Sequence, residues 1–140
     1  VLYSALGLPG GGQLELRMFQ SETNSDPDVL QVARRLKPYN LESWYAEWKE
    51  IAEKNQNLAE NFQDEGRKIT ANGFYLRAVS FYRKALVYLP ENDRRMLSAY
   101  RVMREVFDRA WSLVNPPFEQ VKIPYHGEIL EGHFYQEELL

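Results

Sequence analysis

VKIPYHGEILEGHFY, residues Val121–Tyr135, alternates apolar and polar side chains around a His126-Gly127 pair. On an extended chain Val121, Ile123 and Tyr125 fall on one side, with Gln120 and Lys122 on the other. Leu130, Gly132 and Phe134 repeat the alternation beyond the pair. A period of two with a turn signal at its centre predicts a β-hairpin. Two strands alone bury too little apolar surface to offset the cost of ordering them, so the hairpin predicts a sheet larger than itself.

Upstream of it, wherever a period is visible, the period is helical. Asp26 followed by Pro27 is a helix start, and Val29, Val32, Ala33 and Leu36 place a short amphipathic helix that Pro38 ends. Asn40 can cap a second helix whose stripe is Trp44, Trp48, Ile51, Ala52, Leu58 and Phe62, running towards Gly66 or Thr70. A third is predicted over Phe74–Leu89, apolar on two faces, with only Arg77, Ser80, Arg83 and Lys84 left to meet water. A helix of that kind packs between neighbours. Asn92 or Asp93 opens a fourth, carrying Met96, Leu97, Tyr100, Met103, Phe107, Ala110, Trp111 and Val114 until Asn115-Pro116-Pro117 stops it. The double proline divides the chain into an irregular arm over 1–25, a helical domain over 26–116 and the hairpin over 117–140. Val1 in place of Met suggests a start that is not the natural one.

Composition narrows the function classes. The 140 residues are 44% hydrophobic and 26% charged, as in an ordinary soluble domain, and the net charge of -3 disfavours nucleic acid or an anionic membrane as partner. Without cysteine there is neither thiol chemistry nor a disulfide. No apolar run approaches the roughly 18 residues of a membrane span, and VLYSALGLPGGG lacks the basic start of a secretory signal. These features read as cytoplasmic.

No self-contained active site is visible. None of the serines lies in G-x-S-x-G, the strained elbow that presents a nucleophile, and Gly10-Gly11-Gly12 lacks the Lys-Ser or Lys-Thr of a phosphate loop. His126, Glu128, Glu131 and His133 match no metal-ligand template, and ordinary polar turn residues is the stronger reading; neither metal nor cofactor is expected. Arg94, Arg95, Arg101, Arg104 and Arg109 are interleaved with Asp93, Glu105 and Asp108, the pattern of a solvated helix face. The aromatics Trp44, Tyr45, Trp48, Tyr75 and Tyr82 are the candidate substrate-binding residues, with helix packing as the competing role. Gly66, Gly73, Ala78, Tyr82, Ala85 and Pro90 also fit one tetratricopeptide unit. The repeat does not continue at its roughly 34-residue period, so the match denotes a closely packed helical hairpin, and a non-enzymatic interaction module is the alternative function.

ESWYAEWKEIAEK (Glu42–Lys54), GRKITANGFYLRAVSFYRKA (Gly66–Ala85) and the terminal IPY-x-G segment occur in an order that carries a resemblance. Together, over Leu36–Tyr135, they resemble the N-terminal region of the α/β-hydrolase group that includes dihydroxypseudooxynicotine hydrolase, the fungal polyketide-shortening hydrolases of pigment synthesis and the fermentation-respiration switch proteins. The resemblance implies a mainly α chain: a cap bundle of about four helices, then a β-hairpin that begins an α/β-hydrolase sheet. It further implies a serine-dependent hydrolase of an ester, an amide or a carbon-carbon bond beside a ketone. The catalytic triad would lie beyond the hairpin, and the partners would be the remaining hydrolase domain, a small-molecule substrate and, as a further option, a second copy in a homodimer. His126 stands where the group commonly has Glu, and Glu131 where it has Pro, neither at a catalytic position. On this reading the sequence is a truncated piece, one part of a split enzyme or a degenerate remnant.

Overall fold

Asp26 starts the helical part as its sequence implies: its carboxylate accepts the Asp28 N–H at 2.9 Å and Pro27 takes the first turn of α1, Pro27–Arg35. A computed structural model describes residues 26–114 and 119–134; the arm over 1–25 and the Asn115-Pro116-Pro117 boundary lie outside the described residues. Val29 and Val32 are the buried side of α1. The helix ends at Arg35 because Leu36 is extended, short of Pro38.

Helix α2, Leu41–Asp64, is capped by Asn40, whose side chain accepts the Ser43 N–H at 3.0 Å. Its C-terminus is closed at Gly66 (φ +76°), with the Gly66 N–H on the Gln63 carbonyl and the Arg67 N–H on the Phe62 carbonyl, both at 2.9 Å. This double closure needs a left-handed residue, which glycine supplies without a Cβ clash. Of the two stop signals in the sequence, Gly66 operates and Thr70 belongs to the next helix.

That helix, α3, runs Lys68–Leu86, not Phe74–Leu89. Gly73 does not delay its start: a Cβ there would meet nothing within 4 Å, and Ala71, fully buried, already anchors the first turns. α3 packs against both α2 and α4, the central position its two apolar faces require. Ala52, Ala59, Ala71, Ala78 and Ala85 are all buried, and their small side chains permit the close α2–α3 approach. Around them pack Trp44, Trp48, Phe81 and Tyr88, with ring centroids 5.0–5.7 Å apart, and the Trp44 indole N–H donates to the Lys84 carbonyl at 2.7 Å. Lys84 corrects the sequence reading, which sent it to water. It is 5% exposed, with Nζ 5.2 Å from the Trp48 ring centre and 5.3 Å from that of Phe81, a cation-over-ring placement that offsets lost hydration.

Helix α4, Arg95–Ser112, starts later than Asn92 or Asp93. Asp93 still serves the helix end, accepting the Arg95 N–H at 2.8 Å from just outside it. Only Val106 and Ala110 of α4 are buried. Three of its arginines are paired, Arg95 with Glu42 and Asp93, Arg104 with Asp108, and Arg109 with Glu60. No described helix is long and apolar enough to cross a membrane.

The hairpin is β1, Glu119–Tyr125, antiparallel to β2, Glu128–Phe134. His126 (φ +46°) and Gly127 (φ +85°) both adopt the left-handed conformation of a tight two-residue turn whose twist matches the strands. The register sets Val121 opposite Gly132, Ile123 opposite Leu130 and Glu119 opposite Phe134. Val121, Ile123, Tyr125, Leu130 and Phe134 therefore share one face. Ile123 is 51% and Leu130 49% exposed, and Tyr125 and Phe134 more than half so. Glu119 and Glu128 flank that face, and the opposite one carries Lys122, Pro124, Ile129 and Glu131, from which Glu131 reaches Arg104 of α4 at 4.0 Å. The alternation was legible, and both faces of the strand pair are largely exposed.

Candidate functional site

Side chains spaced one helical turn apart line one edge of α2: Tyr45, Lys49 and Glu53. Opposite them α3 presents Tyr82 and Ala85, and α4 presents Ser98, Ala99 and Val102. Because Ala85 and Ala99 are small, the three helices leave between them a groove of about 230 Å³. The tyrosines are held from outside it. Tyr82 donates its hydroxyl hydrogen to the Gln56 amide oxygen at 2.8 Å. Burial, then the carboxylates of Glu53 and Glu60 and the nearby Tyr45, push the Tyr82 phenol up to about 12, so it is a neutral hydrogen-bonding group at physiological pH. The Arg95 guanidinium lies 4.7 Å from the Tyr45 ring centre. Its forks hold Glu42 and Asp93, and those hydrogen bonds bring Asp93 down to about 2. Lys49 and Glu53 form an ion pair with each other.

Of the five sequence-derived candidates, the structure brings Tyr45 and Tyr82 together at this groove. Trp44, Trp48 and Tyr75 are each 1% exposed and lie in the hydrophobic core, Tyr75 with its hydroxyl on the Gln63 amide oxygen at 2.8 Å. Tyr45 follows Trp44 directly, and a step of about 100° separates groove wall from core.

A second polar constellation escaped the sequence reading. Arg77 of α3 donates to Asp26 and Asp28 at the start of α1 and to the Asn55 amide oxygen of α2, at 2.9–3.1 Å. Asn55, fully buried, also donates to Asp28 and to the Ile51 carbonyl, and Lys54 donates to Asp28, all at 2.9 Å. Burial alone would raise the Asp28 carboxyl; the hydrogen bonds from Lys54, Asn55 and Arg77 outweigh it and hold the group below the usual aspartate value. With its donors and acceptors matched, the cluster ties α1, α2 and α3 together. The available signal was Asn55, a polar residue in register with Trp48, Ile51, Ala52 and Ala59.

Among the described residues no catalytic dyad accompanies the groove. The Ser43 hydroxyl accepts from the Lys37 N–H, and those of Ser98 and Ser112 donate to main-chain carbonyls of α4. Among the described residues no group of three or more His, Asp or Glu side chains converges as a metal site. No family model matches the chain. Individual proteins do. The 20-hydroxy-prefusarin hydrolase FUS2 of Gibberella moniliformis is 35% identical over 111 residues, 77% of this chain and 26% of its own length. Hydrolase LUC6 of a Fusarium species is 33% identical over the same shares. The chain is a homologue of fungal α/β hydrolases. Alpha/beta hydrolase xenA of Xenoacremonium sinensis extends the match to 93% of the chain, at 29% identity and 28% of its own length. The chain thus spans about a quarter of the length of the hydrolases it matches. Among the described residues, four helices followed by a strand pair is the arrangement the resemblance implied for this region.

Proposed function

We propose that the chain is the helical cap and first strand pair of a serine-dependent α/β hydrolase acting on an ester, an amide or a carbon-carbon bond next to a ketone. The observation that carries this reading is the strand pair itself, whose large apolar side chains Ile123, Tyr125, Ile129, Leu130 and Phe134 are all about half exposed or more. A two-stranded ribbon gains its stability from further strands or a covering layer, and in a hydrolase homologue the natural cover is the catalytic sheet. Helices over 26–116 form the cap, and 117–140 begins the sheet.

None of the 140 residues forms G-x-S-x-G, so the nucleophile, its acid and the catalytic His are assigned to the remainder of the enzyme and the chain alone is inactive. In the complete protein a serine activated by His and Asp attacks the carbonyl carbon while backbone N–H groups hold the developing oxyanion. The cap contributes by closing over the acyl group and excluding water. Tyr45 and Tyr82 are its substrate contacts, with Trp44, Trp48 and Tyr75 setting the helix spacing behind them. The partners are the remaining hydrolase domain and a small-molecule substrate in the cytoplasm, with no role for nucleic acid or membrane; self-association of the complete enzyme as a homodimer is compatible with this.

A serine-directed fluorophosphonate probe tests the assignment. The native gene product should label at a G-x-S-x-G serine and the 140-residue chain should not. Labelling of the chain itself, or an unlabelled native product, would overturn it.

A further inference from the structure

The groove's chemistry narrows what it can hold. Its charged rim residues, Lys49 and Glu53, neutralise each other, and Arg95 behind Tyr45 is saturated by two carboxylates. A charged ligand would be desolvated there without an unpaired counter-charge, a cost that disfavours it. Ala85, Ala99 and Val102 supply its apolar aliphatic lining. The Ser98 hydroxyl hydrogen is committed to the Arg95 carbonyl. Away from the solvated rim of Lys49, Glu53 and Ser98, what is left for hydrogen bonding is the Tyr82 oxygen as acceptor, since its hydrogen goes to Gln56, and the Tyr45 hydroxyl. Aromatic walls favour flat partners. The volume, about 230 Å³, falls below the roughly 300–1,000 Å³ of sites that enclose a whole drug-sized ligand, so the groove takes one end of a longer molecule.

We infer that the groove between α2, α3 and α4 binds the end of a neutral, flat, largely apolar molecule bearing an isolated oxygen function. Resting on the hydrolase reading, that molecule is the substrate and the bound end is the part remote from the bond that is cleaved. The binding itself depends only on this chain, so it can fail while the hydrolase assignment stands, and the reverse also holds.

The test is titration of the 140-residue chain with 2-naphthol, followed by amide chemical shifts, with 2-naphthoate as the charged counterpart. Saturable shifts are expected at Tyr45, Tyr82, Ala99 and Val102, with nuclear Overhauser contacts from the naphthol ring to the Ala85 and Ala99 methyls. Binding should weaken at least tenfold in Val102→Trp, which fills the groove, and at least tenfold for naphthoate. The Overhauser contacts are measured on the unaltered chain, so the test survives if Val102→Trp misfolds. Shifts centred on Ile123 and Leu130, no saturation, undiminished binding by Val102→Trp, or equal affinity for naphthoate would each overturn the proposal.

Discussion

Replacing Arg77 with Ala removes the donor that joins three helices. The guanidinium serves Asp26, Asp28 and Asn55. Its own side chain is 40% exposed, so the Coulombic part of these pairs is screened and contributes little. The larger cost falls on the partners left behind: the Asn55 amide oxygen, in a residue with no exposure, loses its donor, and Asp28 at 8% exposure keeps only Lys54 and Asn55. An orphaned buried acceptor costs about 1–3 kcal/mol, so Arg77→Ala should destabilise the chain by ~2 kcal/mol. In a domain of this size that lowers Tm by roughly 8–15 °C. Urea denaturation followed by circular dichroism measures it. Asp28 is depressed when folded, so its contribution is complete above the unfolded value of about 3.9 and disappears as pH falls through the folded value. The gap between the parent chain and Arg77→Ala should therefore be constant from pH 7 to about 5 and narrow below about 4. A loss under ~0.5 kcal/mol at pH 7, or a gap unchanged at pH 2.5, would refute the reasoning.

Two further outcomes follow from local geometry. Gly127→Val forces a β-branched residue to the φ of +85° that the hairpin turn requires, at about 1–2 kcal/mol; cross-strand Overhauser contacts between Ile123 and Leu130 should weaken sharply, and an unchanged set would show that the turn does not hold the hairpin. In a phenolate absorbance titration, subtraction of the Tyr82→Phe curve should isolate a group ionising at about 12. Because that phenol is raised on folding, its contribution is intact below the unfolded value near 10 and is lost as pH rises through the folded one. A difference curve centred at 10 would mean that Tyr82 is solvated.

Features carried by local periods are readable in the sequence. The Asp26-Pro27 start, the Asn40 cap, the Gly66 stop and the His126-Gly127 turn each depend on residues within a few positions of one another, and all appear as expected. Errors arose where a local signal had a non-local answer. Gly73 resembles a breaker but stands in open space, so α3 begins at Lys68. Lys84 looks solvent-bound until Trp48, from another helix, supplies a ring for it. The candidate site divides in the same way. Tyr45 and Tyr82 meet at a groove because Ala85 and Ala99 are small on two different helices, a coincidence no single-helix pattern encodes. The Arg77 cluster links positions 22 to 51 residues apart, and only Asn55 betrayed it.

Amide hydrogen exchange across residues 119–134, compared between the native gene product and the 140-residue chain, tests directly the proposal that further strands complete this sheet. If β1 and β2 dock onto a catalytic sheet, their amides should exchange at least about a hundredfold more slowly in the native product, approaching global protection, while in the chain alone they exchange nearly as fast as a free ribbon. Equal exchange in the two, with Ile123 and Leu130 unprotected in both, would contradict the account.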